Sequence, residues 1–567
     1  MSVFIGYPSF MAYQMMKGKK GNNDGFPSIP GMIARYSALG LTNEQMATNP
    51  VWVDKTGNGY DLQMKNFAWS EMSGVGGYVQ NFNYFRNNTT VDRVRIDEQS
   101  SNSIKVTILN KIINNAIYIP KNVYQFNKSY FIKISSEGYD EGDLSLLFYA
   151  PSTSTATTVK VPLNSNGITE IPAIKEDDFL AVYLNVGGKV GSFTVEQLPL
   201  YSGFILGDGV DDIAVTEKEL NFEDTYTVYT AFIPFQDNLT RNMILCGADS
   251  NKTFSMQYPH LIYVTFLAGN NIYINADLVN GFNLFACKRN GNNICIKNLL
   301  TNQVVTRTCE DWVENAGLYY LWRNAPFASF AKAAIAGQTI CNGYFSTDED
   351  DEKVLDWYKK QYPWLFPDQA WTAVGKTNED EDRATIANIT GNGNDLVLSN
   401  FGFAEGSGYN EEGEYAGYLV TDGVDDKIDS SIFKLGKDFT VVGKWEFLQD
   451  INNNSGLRKT SSFIIRNNAS GLSLFINRTS QATTVFNVKS LKAFCSNGLL
   501  VKNDWTEQID TVSQFVTSSN SKLSIACRDD GVIEYDKFAF KNLAIYPMVL
   551  SKDDCIKAYN YLQTLKK

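Results

Sequence analysis

The chain has 567 residues, a net charge of −12 at pH 7 and a sequence pI of about 4.9. Its 44% hydrophobic and 20% charged residues are typical of a globular protein and exclude wholesale disorder. The acidic excess argues against nucleic acid as the main partner, because binding to backbone phosphates requires clustered Lys and Arg. No apolar run is long enough to predict a membrane span.

Histidine and cysteine are used sparingly, which limits the available chemistry. The single histidine, His260, cannot build a zinc site with two or three His ligands. All eight cysteines lie beyond residue 245 and no CxxC occurs, so we expect buried, reduced thiols rather than a disulfide scaffold. A disulfide between Cys287 and Cys295 across a hairpin is the disfavoured alternative, since cross-strand geometry is demanding.

The N-terminal segment, residues 1–30, is predicted to be an attachment arm. Its apolar side chains crowd into too short a stretch to bury one another, so we expect them to dock either on their own module or on another protein. These side chains are Phe4, Ile5, Tyr7, Phe10 and Tyr13. The basic residues follow the apolar part instead of preceding it, unlike a signal peptide, and we expect synthesis in a cytoplasm.

Most of the remaining sequence predicts β-strands. Short runs rich in Val, Ile, Thr, Tyr and Phe alternate with Asn-Gly and Asp-Gly turns, as in Ser103–Leu109 and Phe179–Leu184. Helical periodicity is strong only at Asp350–Tyr362 and Asp553–Leu565, each after a capping signal that begins with serine. The fold class is therefore predicted to be mainly β with two short helices.

Three sequence elements occur twice in the same order and define an internal repeat. Thr56–Leu62 matches Thr390–Leu396, and Asp208–Asp212 matches Asp422–Asp426. One of the two predicted helices follows each set. Because self-similarity of this kind indicates repeated modules, we expect two sandwiches of the same fold, each with a helix near its C-terminal end.

The spacing of the repeated elements predicts the domain boundaries. We expect a first β-sandwich at residues 31–367 and a second at residues 370–567. The first two elements are far apart in the first copy and close together in the second. Residues 88–200 are accordingly predicted to be an inserted small β-sandwich.

The repeated elements resemble laminin-G-type, concanavalin A-like lectin modules. The resemblance rests on Thr-Gly-Asn-Gly-x-Asp-Leu, on Asp-Gly-Val-Asp-Asp before a strand, and on the stretch Phe540–Ser551 before the last helix. It implies two jelly-roll sandwiches with carbohydrate-binding surfaces. The whole arrangement, with its arm, is similar to head-fibre and tail-fibre proteins of the virions of crAss-like tailed phages.

The sequence offers no recognised catalytic constellation. Some concanavalin A-like enzymes cleave glycans with a Glu-x-Asp-x-x-Glu strand, and this pattern is missing here. The acidic clusters Asp348–Glu352 and Glu379–Asp382 lie at a predicted helix start and in a linker, where solvated or dipole-pairing roles are expected. The Thr-Gly-Asn-Gly segments predict Asn-Gly hairpin turns and lack the form of a phosphate loop. We therefore expect no enzymatic activity.

Paired carboxylates in the repeated Asp-Gly-Val-Asp-Asp segments are the candidate metal ligands. They are Asp211, Asp212, Asp425 and Asp426. The laminin-G resemblance implies calcium held by loop carboxylates and carbonyls. The alternative, which we favour, is a turn stabilised by hydrogen bonds from the backbone to these side chains.

Aromatic side chains in turn-rich segments are the candidate glycan contacts, because sugar rings pack their apolar faces on aromatic rings. They are Trp69, Tyr78, Tyr84, Phe403 and Tyr409. For any one of them, packing in the sandwich is the favoured alternative.

Together these features predict a virion structural protein, either a head or tail fibre or a decoration subunit. We expect the arm to bind capsid, portal or tail proteins, the sandwiches to contact surface glycans, and the chain to form a dimer or trimer. The alternatives are a polysaccharide-cleaving enzyme on the same fold and a bacterial cell-surface glycan-binding protein.

Overall fold

The computed structural model describes residues 24–565 with internal gaps. The candidate arm side chains Phe4, Ile5, Tyr7, Phe10 and Tyr13, and the single histidine His260, lie outside the described residues. The gaps are at 91, 112–116, 151–156, 178, 236–245, 249–253, 258–260, 266–270, 276–280, 309–314, 325–328, 450–453, 460–461, 469–470, 477–482, 487–489, 510–518 and 529–533.

Two compact units make up the chain. The first unit comprises the residues up to Gly77 together with Ser202–Gln361. The second comprises Tyr78–Tyr201 and Tyr362–Lys567. Thr56–Leu62 and Asp208–Asp212, the first two repeated elements of the first copy, therefore belong to the same unit.

The first unit is built from antiparallel sheets around one core. An eight-stranded sheet contains, in spatial order, Val304–Thr308, Asn293–Asn298, Asn283–Asn290, Thr225–Pro234, Lys332–Asn342, Ile205–Asp208 and Gly74–Val75, and Met32–Ser37 also pairs with Lys332–Asn342. A five-stranded sheet contains Cys246–Ala248, Tyr319–Leu321, Ile213–Thr216, Leu62–Lys65 and Val51–Trp52. Smaller pairings join Leu220–Phe222 to Asn315–Gly317, Arg323–Asn324 to Ser329–Phe330, and Phe254–Gln257, Leu261–Thr265 and Asn271–Asn275 to one another.

The second module, in the second unit, has a matching pair of larger sheets. One contains Gly408–Asn410, Tyr418–Val420, Phe538–Tyr546, Thr440–Phe447, Leu491–Cys495, Leu499–Lys502 and Glu507–Ile509, with Gln369–Thr372 beside Phe538–Tyr546. The other contains Thr385–Ile386, Leu396–Ser399, Lys427–Ser430, Leu523–Ile525, Asn454–Lys459, Phe463–Asn468, Gly471–Ile476 and Thr483–Phe486. Short pairs join Phe433–Leu435 to Ser519–Ser521 and Cys527–Arg528 to Glu534–Tyr535.

The inserted segment has two five-stranded sheets and a core of its own. One sheet contains Val159–Pro162, Ser145–Tyr149, Ala181–Asn185, Ile117–Pro120 and Arg86–Asn87. The other contains Ile168–Ile171, Tyr130–Glu137, Gly191–Gln197, Ser103–Ile108 and Val94–Gln99. Burial alternates along Ser103–Ile108, with Ile104, Val106 and Ile108 in the core, as the two-residue period of a half-buried strand requires.

In each module a helix packs on the sheet that contains the central strand, which is Thr225–Pro234 in the first module and Thr440–Phe447 in the second. Helix α1 (Asn43–Thr48) has a complete capping box and was not predicted. Helices α2 (Asp348–Gln361) and α3 (Lys552–Thr564) lie where the sequence predicted them. Short 3-10 segments occur at Phe82–Tyr84, Lys121–Val123 and Pro363–Leu365. The predicted fold class, mainly β with sandwich modules and a short helix ending each repeat, is confirmed.

The central strand Thr225–Pro234 is buried along almost its whole length because both of its faces are covered. Val228 and Phe232 belong to the sandwich core. On the other face, the Tyr229 hydroxyl donates a hydrogen bond to Asp351 of α2 at 2.9 Å. A strand buried in this way carries an apolar run rather than an alternating pattern.

The inserted sandwich packs against the second module, which the sequence did not predict. The Phe131 ring lies edge-on to Trp505 at 5.6 Å and to Tyr559 at 5.7 Å. The buried Glu170 carboxylate accepts hydrogen bonds from Lys444 at 2.5 Å and Lys492 at 3.1 Å. Burial alone would raise the pKa of Glu170, but the two ammonium groups hold it at about 2.

The six cysteines whose side chains the structure describes are free thiols, and all but Cys295 are buried. Cys287 faces Ile296 in the strand register, whereas Cys295 faces Lys288. Because neighbouring positions on a strand point to opposite faces, this one-residue offset separates the Cys287 and Cys295 side chains. It accounts for the absence of the disfavoured disulfide between these two residues.

Candidate functional site

Each module carries the same pair of linked loops. We call Asp208–Asp212 and Asp422–Asp426 the carboxylate turns, and residues 66–75 and 400–409 the aromatic loops. In both modules the carboxylate turn and the aromatic loop are tied together by hydrogen bonds between equivalent residues, so the sequence repeat is also a repeat of local geometry.

The first carboxylate turn is closed by hydrogen bonds to the side chain of its last residue, Asp212. The Asp212 carboxylate accepts hydrogen bonds from the Asp208 N–H at 2.8 Å and from the Ser73 hydroxyl at 3.0 Å. Asp208 in turn accepts from the Val210 N–H at 2.7 Å. Gly209 has φ 81°, a left-handed conformation that glycine adopts without strain.

The second carboxylate turn repeats these contacts. Asp426 accepts from the Asp422 N–H at 2.7 Å and from the Ser407 hydroxyl at 3.0 Å. Asp422 accepts from the Val424 N–H at 2.7 Å, and Gly423 has φ 78°. These hydrogen bonds are those expected of a turn stabilised by its own carboxylates.

The aromatic loops are anchored on the carboxylate turns. The Asn66 side-chain amide donates to the Asp211 carbonyl at 2.9 Å, and Asn400 donates to the Asp425 carbonyl at the same distance. Three residues further on, Trp69 and Phe403 hold left-handed conformations, with φ 51° and 49°. Trp69 and Phe403 are therefore structurally equivalent aromatic residues.

The carboxyl groups at the end of each turn have pKa values raised above the ordinary range of an aspartate. Burial raises the pKa of Asp212 to about 7, against the lowering effect of its hydrogen bonds. Burial likewise raises the pKa of Asp426 to about 6. A cation bound at either turn would favour the deprotonated form and reverse these shifts.

Three carboxylates in each turn are close enough to hold a metal ion, with ligand oxygens all within 4.8 Å of one another. The groups are Asp208, Asp211 and Asp212, and Asp422, Asp425 and Asp426. Their all-oxygen donor set suits a hard cation. Sequence reasoning named the last two members of each group and missed Asp208 and Asp422, although each opens the same repeated segment.

The structure places the five candidate aromatic residues in different surroundings. Trp69 is half-buried and stacks on Phe67, with ring centroids 5.0 Å apart. Phe403 is half-buried, with the Arg383 guanidinium 5.1 Å from its ring centroid. Trp69 belongs to the first unit, whereas the other four residues lie in the second.

Two of these aromatic residues, Phe403 and Tyr409, are in contact with each other. Phe403 and Tyr409 stack at 6.4 Å, and the buried Tyr409 hydroxyl donates to the Arg383 carbonyl at 2.9 Å. Tyr409 thus stabilises the aromatic loop from the protein interior, and its buried side chain is not accessible to a ligand. In the inserted sandwich, Tyr78 is half-buried and Tyr84 is 36% exposed on its 3-10 segment.

Acidic residues at the start of α2 make buried contacts that the sequence did not indicate. Asp351 was expected to be solvated or to complement the helix dipole, but it is 2% exposed and pairs with Lys288 at 2.7 Å. Asp350 accepts a hydrogen bond from the Thr347 N–H at 3.0 Å. Two of the five residues in Asp348–Glu352, namely Asp350 and Asp351, are therefore buried and hydrogen-bonded within the protein.

No family model matches the sequence, and no curated protein is similar to it. Among solved structures, domain 4 of an extracellular GH43 arabinanase from Geobacillus stearothermophilus is 16% identical, with a TM-score of 0.21. The alignment covers 28% of this chain and 82% of that domain. The botulinum neurotoxin serotype D binding domain is 10% identical, with a TM-score of 0.28 and coverage of 63% and 89%.

Trypanosoma rangeli sialidase in complex with sialic acid is 10% identical, with a TM-score of 0.24 and coverage of 84% of this chain and 85% of that one. At these TM-scores the resemblances say nothing about what this chain binds. No helix in the described part of the chain is long and apolar enough to cross a membrane.

Proposed function

We propose that the chain is a non-catalytic structural protein of a phage virion, a head or tail fibre or a decoration subunit, whose two lectin-like modules contact surface glycans. One observation carries the glycan part: the aromatic loop and the carboxylate turn occur together twice, held by the same hydrogen bonds. The resemblance of the sequence to phage fibre proteins motivates the virion part.

The chemistry of the linked loops suits a sugar. The rings of Trp69 and Phe403 offer an apolar face on which a pyranose ring can pack. The neighbouring carboxylates accept hydrogen bonds from sugar hydroxyl groups, and calcium held by the three aspartates of a turn would add a ligand for vicinal hydroxyls. Two sites on one chain raise avidity when both can be engaged at once.

The carboxylates of the same loops do not suit the mechanism of a glycosidase. Asp212 and Asp426 each accept a backbone N–H and a serine hydroxyl, so the most buried carboxylates serve the turn. A glycosidase needs two carboxyl groups placed on either side of the scissile bond. This supports binding without turnover.

Binding to an array of bacterial surface oligosaccharides tests the proposal. The wild-type chain should bind a subset of them, and Trp69→Ala combined with Phe403→Ala should weaken that binding at least about tenfold, since stacking on an aromatic ring contributes roughly 1 kcal/mol or more per site. Val304→Ala and Ile432→Ala, which alter residues 52% and 66% exposed elsewhere on the modules, are the matched controls.

Three outcomes would each overturn a part of the proposal. Wild-type binding by the doubly substituted chain would remove the aromatic loops from the glycan site. Sustained release of reducing sugars from bacterial capsular polysaccharide, lost on substitution of one carboxylate, would favour the enzyme instead. Absence of the chain from purified particles of the phage that encodes it would refute the virion role.

A further inference from the structure

The two modules bring a strand and a helix together at an equivalent point. In the larger sheet of the first module, Thr227 on the central strand is paired with Lys288 on its neighbour. In the second module, Thr440 on the central strand is paired with Cys495. Lys288 and Cys495 therefore occupy the same position in the two sheets.

The segment that enters each helix is held at the same place. The Thr227 hydroxyl oxygen accepts from the Ser346 N–H, and the Thr440 hydroxyl oxygen accepts from the Leu550 N–H, both at 2.9 Å. Asp351 follows Ser346 by five positions and is the fourth residue of α2. Cys555 follows Leu550 by five positions and is the fourth residue of α3.

Side-chain contacts confirm this equivalence. Lys288 donates a hydrogen bond to the Ser346 carbonyl at 3.0 Å, and the Cys495 thiol donates to the Leu550 carbonyl at 3.7 Å. In the first module, the buried Lys288 ammonium then meets the Asp351 carboxylate at 2.7 Å. In the second, the thiols of Cys495 and Cys555 hydrogen-bond to each other.

We propose that Cys495 and Cys555 form a redox-sensitive clasp, which closes as a disulfide when the folded protein meets a low-molecular-weight disulfide such as oxidised glutathione. The clasp fixes covalently, in the second module, the sheet-to-helix contact that the Lys288–Asp351 ion pair fixes in the first. Both thiols are fully buried among the second module's own residues, so the oxidant reaches them through local opening of the first turn of α3.

The reaction is an ordinary thiol–disulfide exchange. The Cys495 thiolate attacks one sulfur of oxidised glutathione, forming a mixed disulfide and releasing one glutathione thiolate. The Cys555 thiolate then attacks the Cys495 sulfur and releases the second glutathione. Two protein thiols and one glutathione disulfide thus become one protein disulfide and two glutathione thiols, and both electrons pass to glutathione.

Cys495 is the better nucleophile of the pair. The hydrogen bond from Cys555 lowers the pKa of the Cys495 thiol, with a further contribution from the Thr440 hydroxyl. Cytoplasmic reductants hold such a pair open, and extracellular disulfides close it. Formation of the disulfide fixes α3 to the sheet. Tyr559 of this helix packs on Phe131 of the inserted sandwich.

Peptide mapping of the full chain after incubation with oxidised glutathione at pH 8 tests the clasp. The expected product has lost two hydrogens and contains one cross-linked peptide joining Cys495 to Cys555. Its apparent melting midpoint should rise by at least about 5 °C, and dithiothreitol should reverse the rise. Cys341→Ser, which alters a buried cysteine of the first module, should leave both results unchanged.

Cys555→Ser should abolish the cross-link and the rise in melting midpoint. The mapping on the wild-type chain decides the matter even if this variant folds poorly. The proposal is overturned if Cys495 and Cys555 remain alkylatable after oxidation, if they pair with other cysteines, or if the cross-link appears only in urea.

Discussion

At the scale of single residues, Asp351 is a buried carboxylate at the start of α2 with several partners. Its carboxylate receives the Lys288 ammonium, the Tyr229 hydroxyl at 2.9 Å and the Ser346 hydroxyl at 3.1 Å. Lys297 contacts it from the side at 3.1 Å. Such a buried charge is tolerated because its partners replace the water that it has lost.

Removing that carboxylate should be costly. Asp351→Ala leaves the Lys288 ammonium, 3% exposed, without its counter-charge, and we expect a loss of roughly 3–5 kcal/mol in the stability of the first unit. Urea unfolding followed by tryptophan fluorescence measures the change. Glu352→Ala, at an exposed neighbouring position, should change stability by less than about 0.5 kcal/mol. Equal losses for the two variants would show that the ion pair is unimportant.

The raised pKa values of Asp212 and Asp426 predict a stability that falls as pH rises. Between the ordinary range near 4 and the folded values of about 7 and 6, the folded chain binds protons that the unfolded chain has released. The urea midpoint of the wild-type chain should therefore fall between pH 5 and pH 7.5. Asp212→Asn combined with Asp426→Asn should flatten this dependence.

Calcium offers an independent check on the same two residues. Millimolar calcium chloride should raise the urea midpoint of the wild-type chain at pH 7.5 and have little effect on the doubly substituted chain, because the ion stabilises the deprotonated carboxylates. An identical calcium response in both chains would remove these turns as the site. Magnesium chloride at the same concentration controls for ionic strength.

At the scale of elements, the two modules make equivalent contacts between a strand and a helix with different pairs of side chains. The strand next to the central strand meets the first turn of a helix through Lys288 and Asp351 in the first module and through Cys495 and Cys555 in the second. Replacing a buried ion pair with a matched neutral pair is often nearly neutral for stability, which explains how both versions support one fold.

The equivalence predicts that the clasp can be transplanted. Lys288→Cys together with Asp351→Cys should give the first unit an oxidisable thiol pair, while Lys297 keeps Asp348 as a partner at 2.7 Å. Non-reducing peptide mapping after glutathione oxidation should find a 288–351 cross-link. Lys288→Cys with Glu352→Cys is the control, because position 352 is exposed and points away. A cross-link in the control alone would contradict the register.

Sequence reasoning succeeded where information was local. The serine before α3 and the apolar spacing along α2 predicted both helices, and the repeated aspartates predicted turns with equivalent hydrogen bonds. It failed where contacts join distant residues. Neither Glu170 nor Lys492 carries a local signal that they meet, and Asp351 reads as a helix-start residue until the Lys288 strand is placed beside it.

At the scale of the whole molecule, the proposed division of labour is between an arm that attaches and modules that bind. Residues 1–28 contain a dense apolar cluster that we propose to dock on other virion proteins. Deleting residues 1–23 should leave both sandwich modules folded and abolish incorporation into particles, because this deletion spares Asp24, which pairs with Arg35, and Phe26, whose ring packs on Trp357 at 5.0 Å. Quantitative mass spectrometry of purified virions measures the occupancy, and wild-type occupancy by the truncated chain would place the attachment surface on the modules.

The self-association of the full chain belongs to the same account. Symmetric assembly multiplies the number of glycan sites presented to a surface, so we expect a dimer or trimer in solution. Sedimentation equilibrium measures the mass, and a strictly monomeric chain at micromolar concentration would contradict this expectation.

The central claim is that each chain carries two equivalent glycan sites, one on each aromatic loop and its carboxylate turn. Calorimetric titration with the strongest oligosaccharide from the array measures this directly. We predict two sites of equal affinity per chain for the wild type, one site at that affinity for Trp69→Ala or Phe403→Ala, and binding weakened at least about tenfold in the double variant. Unchanged stoichiometry and affinity in the double variant would contradict the account.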